Sequence, residues 1–139
     1  MNLINPPAFK MINPSELYDP ISNGYSHVTV IQPNMRTIHI AGQGGENKNG
    51  ELSQDFDQQV QQVFYNIQYA LASAQAKLQD IAVLRVLVVN HNEDKLHSFT
   101  QIMQRLWKGH PYPVCTLIPV PCLALEGMLI EVEATAYIA

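Results

Sequence analysis

The stretch His110-Pro111-Tyr112-Pro113-Val114-Cys115-Thr116-Leu117-Ile118-Pro119-Val120, followed after a turn by Leu129-Ile130-Glu131-Val132-Glu133-Ala134-Thr135-Ala136-Tyr137, decides the fold. In both segments β-branched and apolar residues alternate with residues of another kind, and Pro or Gly punctuates the ends, as in half-buried strands. The two strands are expected to be neighbours. On the later one Ile130, Val132, Ala134 and Ala136 point one way and Glu131, Glu133 and Thr135 the other, so two carboxylates share a face. On the earlier one Val114, Thr116 and Ile118 alternate with Cys115 and Leu117. The expectation is a titratable cluster that brings the Cys115 thiol together with the acids of the later strand.

Immediately upstream, Ile81 to Val89 is almost uninterrupted apolar sequence, which predicts a central strand covered on both faces. Its exception is Arg85, in phase with Val83 and Leu87. A buried guanidinium needs a partner, and Glu131 or Glu133 can supply it. A buried ion pair, a surface arginine and a ligand-binding arginine all remain open readings. Between these strands Asn90-His91-Asn92-Glu93-Asp94 caps a helix in which Leu96, Phe99, Met103 and Leu106 follow three-four spacing, closed by Trp107, His110 and Pro111. A longer amphipathic helix starts near Asp55, with Phe56, Val60, Val63, Phe64, Ile67, Leu71, Ala74 and Leu78 on one face. Ser53 is its expected N-cap, and its glutamines read as a solvated face.

Residues 1–24, with Pro6, Pro7, Pro14 and Pro20, predict an irregular leading arm. His27–Ile31 and Thr37–Ala41 are short alternating runs around Gln32-Pro33-Asn34-Met35, which predicts a hairpin. Ala41-Gly42-Gln43-Gly44-Gly45 follows at once, without the Lys-Ser/Thr of a phosphate loop. The order of elements, with two one-faced helices among five or more strands, gives an α+β fold: a mixed sheet covered on one side.

At 139 residues the chain is expected to form one domain spanning 1–139. Apolar residues make up 47% and charged residues 14%, which leaves apolar surface for contact between subunits. A net charge of −4, with eight Lys and Arg scattered singly, offers no basic stripe for nucleic acid. Cys115 and Cys122 are the only cysteines and read as free thiols. No apolar run approaches the roughly 20 residues that cross a bilayer, and no basic and apolar leader opens the chain, so a cytoplasmic protein without membrane contact is expected. His91, His97 and His110 lack the paired spacing of metal ligands. Neither a metal nor a cofactor is expected.

Tyr112-Pro113-Val114-Cys115-Thr116 and Ile130-Glu131-Val132-Glu133-Ala134 resemble the signature of the YjgF/RidA family, also called endoribonuclease L-PSP-like proteins or reactive intermediate deaminases. Asn23-Gly24-Tyr25-Ser26 resembles its Gly-Pro-Tyr-Ser segment, Ala41-Gly42-Gln43 its Ser-Gly-Gln motif, and Asn66 the Asn of its first helix. The resemblance spans nearly the whole chain. It implies a chorismate-mutase-like (bacillus type) α+β domain that assembles as a homotrimer, with ligand clefts between subunits.

In deaminating relatives the cleft holds an imine or enamine derived from an amino acid, an arginine clamps its carboxylate, and an acid helps to place water on the C=N carbon. Carried over, the resemblance makes Glu131 the acid and puts Tyr25, Thr116 and Gly42 beside the ligand, a small metabolite. Cys115 stands where those relatives have the arginine, and a thiol does not clamp a carboxylate. Three outcomes follow as expectations: deamination with another anchor, for which Arg85 is the candidate; altered chemistry with Cys115 as a nucleophile; or a non-catalytic trimer that binds a metabolite. Hydrolytic deamination leads, binding without turnover is the alternative, and a ribonuclease or translation inhibitor comes third.

Overall fold

The protein, a computed structural model, is described over residues 6–139; the first five residues of the arm lie outside the described residues. Strand β1 (Phe9–Ile12) pairs antiparallel with β2 (Val28–Ile31) in a small separate sheet. The main sheet contains β3 (Arg36–Gln43), β4 (Ile81–Val89), β5 (Val114–Val120) and β6 (Ile130–Ile138), in the order β3-β6-β4-β5. Helices α1 (Phe56–Ser73) and α2 (Glu93–Leu106) lie on one of its faces. The α+β architecture expected from the periodicities is the one found.

Several details of the expected fold are corrected. The arm is not irregular throughout, because it carries β1. The hairpin between β2 and β3 does not form: β2 gives its hydrogen bonds to β1, while β3 runs against β6, with Arg36 opposite Ile138. Asn34 adopts a φ of 64°, so the turn is real; a turn signal reports a change of direction, not which strand receives the hydrogen bonds. β5 and β6 are not neighbours, since β4 lies between them, parallel to β5 and antiparallel to β6. The chain leaves β4, crosses through α2 and returns as β5, and such a crossover makes the parallel pair. Finally, β4 is covered on one face only, with Leu84, Val86 and Val88 buried and Arg85 exposed.

The buried rows explain the fold's cohesion. Leu84, Val86 and Val88 of β4 and Ile130, Val132, Ala134 and Ala136 of β6 face Val60, Val63, Phe64, Ile67 and Leu71 of α1 and Phe99, Ile102 and Met103 of α2. Phe64 packs at 6.0 Å, ring centre to ring centre, against Trp107 and at 6.1 Å against Phe99. Each large side chain buried in this way contributes about 1.5–3 kcal/mol relative to exposure. The N-cap of α1 is Asp55, not Ser53: its carboxylate accepts from Gln58 N at 3.0 Å, while Ser53 Oγ accepts from Asp55 N at 3.1 Å. α1 ends at Ser73, short of the expected Leu78. Gln75, at φ 58°, turns the chain, and Ala76 N donates back to Leu71 O. Asn92 caps α2 by accepting from Lys95 N at 2.8 Å.

The glutamine face of α1 has one exception. Gln59 is fully buried, with Nε2 donating to Ser53 O (2.7 Å) and Gly127 O (2.9 Å) and Oε1 accepting from Leu129 N (2.8 Å). Its amide ties α1 to the loop that feeds β6. No helix among the described residues is long and apolar enough to cross a membrane.

Candidate functional site

A cavity of about 330 Å³ opens at the free edge of β5, lined by Tyr18, Asn23, Gly24, Tyr25, Leu96, Phe99, Cys115, Thr116 and Leu117. Three pieces of chain build it. β5 supplies the sheet edge, the start of α2 supplies an apolar wall, and the arm closes over both. The arm is fixed by backbone: Ser26 N donates to Pro113 O at 3.0 Å, and Ser26 bridges Val114 at the head of β5. Gly24, at φ 73°, allows the close approach to α2, where an added Cβ would stand 3.1 Å from Met103 Cβ. Positive φ and close contact both favour glycine there.

Three aromatic rings gather on the arm side. Tyr18, Tyr25 and His27 meet edge to face, with ring centres 5.1–6.4 Å apart, an arrangement that favours the rings' quadrupoles. The hydroxyls of Tyr18 and Tyr25 are hydrogen-bonded to each other. His27 Nε2 donates to Tyr18 O at 2.8 Å, since a carbonyl can only accept. Burial first, and the Tyr18 hydroxyl second, push Tyr25 up to about 12. Burial alone pushes the Cys115 thiol up to about 12. At neutral pH the Tyr25 phenol and the Cys115 thiol therefore both keep their protons.

The strand registers sort the expected site residues into two groups. Cys115 is level with Leu84, and Leu84 with Ala134, so Cys115 belongs to the row that packs on the core beneath the helices. Glu131 is level with Leu87, and Glu133 with Arg85, so both acids belong to the open face. Cys115 and Glu131 of one chain thus lie on opposite sides of the sheet, and the expected meeting of thiol and acid does not occur within the protomer. Arg85 does not face the cleft either. It stands 3.9 Å from Glu133 on the open face, both side chains about half exposed. Tyr25, Cys115 and Thr116 are the expected residues that the fold brings together.

Gly42 belongs with Glu131. β3 and β6 pair at Ile40 with Ala134 and again at Gln43 with Val132, so Ala41 and Gly42 together oppose Glu133 in a bulge. The Glu131 side chain lies over Gly42, where an added Cβ would come within 2.6 Å of Glu131 Oε1. Only a residue without a side chain leaves room for the carboxylate in this place.

The family model described as Endoribonuclease L-PSP matches residues 18–138. The chain belongs to this family, the YjgF/RidA family. It is 31% identical over 104 residues to the RutC family protein YjgH of Escherichia coli K12, covering 73% of this chain and 75% of that one. A solved Rid-family protein from Yersinia pestis, YyfB, superposes with a TM-score of 0.89 at 38% identity, over 94% of this chain and 99% of that one. RidA from the Antarctic bacterium Psychrobacter sp. PAMC 21119 gives 0.67 at 28% identity, over 82% and 88%. The mixed sheet with its two helices is thus the fold of this family.

Sequence reasoning missed several lining residues. Tyr18 follows no pattern that marks a cleft, and three-four spacing puts Leu96 and Phe99 on one apolar face of α2, where Phe99 serves as core and cleft wall at once. Asn23-Gly24 was readable as a turn, but nothing in the turn says what it closes on. Among the described residues no group of three or more His, Cys, Asp or Glu is placed to hold a metal ion.

Proposed function

We propose that the protein is a homotrimeric hydrolase that takes a small imine or enamine without a carboxylate into this cleft and releases ammonia. The observation that carries the reading is the cleft's lining within one protomer, which offers hydroxyl and thiol groups and no Lys, Arg, Asp or Glu. Carrying an ionised carboxylate out of water to a place with no cation is costly, whereas an uncharged imine enters such a cleft readily. Water adds to the C=N carbon, the carbinolamine expels ammonia, and a carbonyl compound remains. Holding water against that carbon makes the addition effectively intramolecular, and a carboxylate that accepts the water's proton assists it. Glu131 is the candidate for that role. Because it lies on the open sheet face, the reading requires a second copy whose open face meets the cleft edge.

Paired substrates test this. Imines bearing a carboxylate and the same imines as methyl esters or amides are offered to the protein, and ammonia is measured. Faster release from the neutral member of each pair is expected, and preference for the carboxylates overturns the reading. Binding without turnover is the second reading, favoured by the absence of an acid or base among the residues lining the cleft of a single protomer. Saturable ligand binding with no release above the uncatalysed rate establishes it. A ribonuclease role has the least support, with eight Lys and Arg against twelve Asp and Glu.

A further inference from the structure

We infer that Tyr18 is the specificity-determining residue of the cleft, and that its hydroxyl, paired with that of Tyr25, recognises a neutral acceptor on the ligand, an amide or ester carbonyl. This rests on reading the cleft as the ligand site and adds what the ligand must carry beside its reactive carbon. Tyr18 lies in the arm between Pro14 and Pro20, at the first residue of the family match. Its backbone is nevertheless held firmly. Leu17 N donates to Pro14 O at 3.1 Å, Ile21 N donates to Asp19 Oδ1 at 3.1 Å, and the His27 ring donates to Tyr18 O itself. The ring is held edge-on by Tyr25 and His27.

Two hydroxyls that share one hydrogen bond leave one proton unspent, and the hydroxyl that accepts becomes the better donor. Tyr25 is the half-buried member of the pair and Tyr18 the exposed one, 62% accessible. Tyr18 therefore stands where an arriving ligand meets the arm. A phenol hydroxyl can donate one hydrogen bond to a carbonyl oxygen, whereas a carboxylate taken from water also needs a countercharge, which no side chain lining the cleft of one protomer supplies. Cys115 and Tyr18 both line the cavity, Cys115 from β5 and Tyr18 from the arm.

The experiment uses the full chain with isobutyramide and isobutyrate as probes, titrated while cleft resonances are followed by NMR. The wild-type protein is expected to bind the amide more tightly than the acid. Tyr18→Phe keeps the ring and loses the hydroxyl, and amide affinity is expected to fall about fivefold, the effect of one neutral hydrogen bond, with isobutyrate unchanged. Tyr18→Arg is expected to reverse the preference. Equal amide affinity in wild type and Tyr18→Phe overturns the inference, as does wild-type preference for isobutyrate or no saturable amide binding. Ammonia release is scored separately on matched imines. Should turnover be absent while the titrations come out as expected, hydrolysis fails and the role of Tyr18 stands.

Discussion

At the scale of single residues, the site is decided by which side of a strand each side chain takes. Cys115 was legible as a thiol at a position where related proteins hold a cation. Its phase relative to Glu131 was not, because alternation fixes phase only within a strand, and the register between strands comes from tertiary pairing. Burial makes Cys115 a poor nucleophile: with iodoacetamide at pH 8, mass spectrometry should find the adduct on the exposed Cys122 and little on Cys115. The same burial gives a pH dependence. The folded state keeps the Cys115 proton up to about 12, while the unfolded chain releases it near the ordinary value of 9.0. The contribution is thus complete below pH 9 and fades as pH rises toward 12. The urea midpoint is expected to fall between pH 8 and pH 11, and less steeply in Cys115→Ala; parallel slopes would refute the assignment. Gly42→Ala puts a methyl group where the Glu131 carboxylate lies, so that side chain must turn aside, and a loss of no more than about 1 kcal/mol is expected from denaturant titration.

At the scale of elements, helices and central strands were legible because their periods are long and their faces one-sided. β4 was bounded correctly from its apolar run alone, Ile81–Val89. β1 escaped notice because four residues, Phe9–Ile12, among prolines are too few to show alternation, and it exists only because β2 offers a partner. The buried amide of Gln59 escaped for a related reason: one glutamine among many on α1 looks like its solvated neighbours until the loop before β6 is seen to fold over it. Gln59→Leu strands two carbonyls and one N–H in the interior. It is expected to lower stability by about 2–4 kcal/mol, whereas Gln61→Leu on the exposed side should change it by less than about 0.5 kcal/mol. Similar losses for the two variants would show that the clip is unimportant.

At the scale of the whole molecule, the sheet has one face under helices and one bare, where Val83, Leu87 and Ile118 alternate in space with Arg85, Glu131 and Glu133. A bare face of this composition suits self-association. Light scattering is expected to return about 47 kDa, three times the 15.6 kDa chain; a particle of 15.6 kDa would leave Glu131 with no cleft to reach. Strand order has a temporal consequence as well. β6 is made after every strand it touches, yet it occupies the position between β3 and β4. During vectorial synthesis on the ribosome, β3 and β4 must therefore wait with unpaired edges until residue 138 has left the exit tunnel. Nascent chains stalled before that point should be protease-sensitive throughout, and the emergence of β6 becomes the event that lets the sheet close.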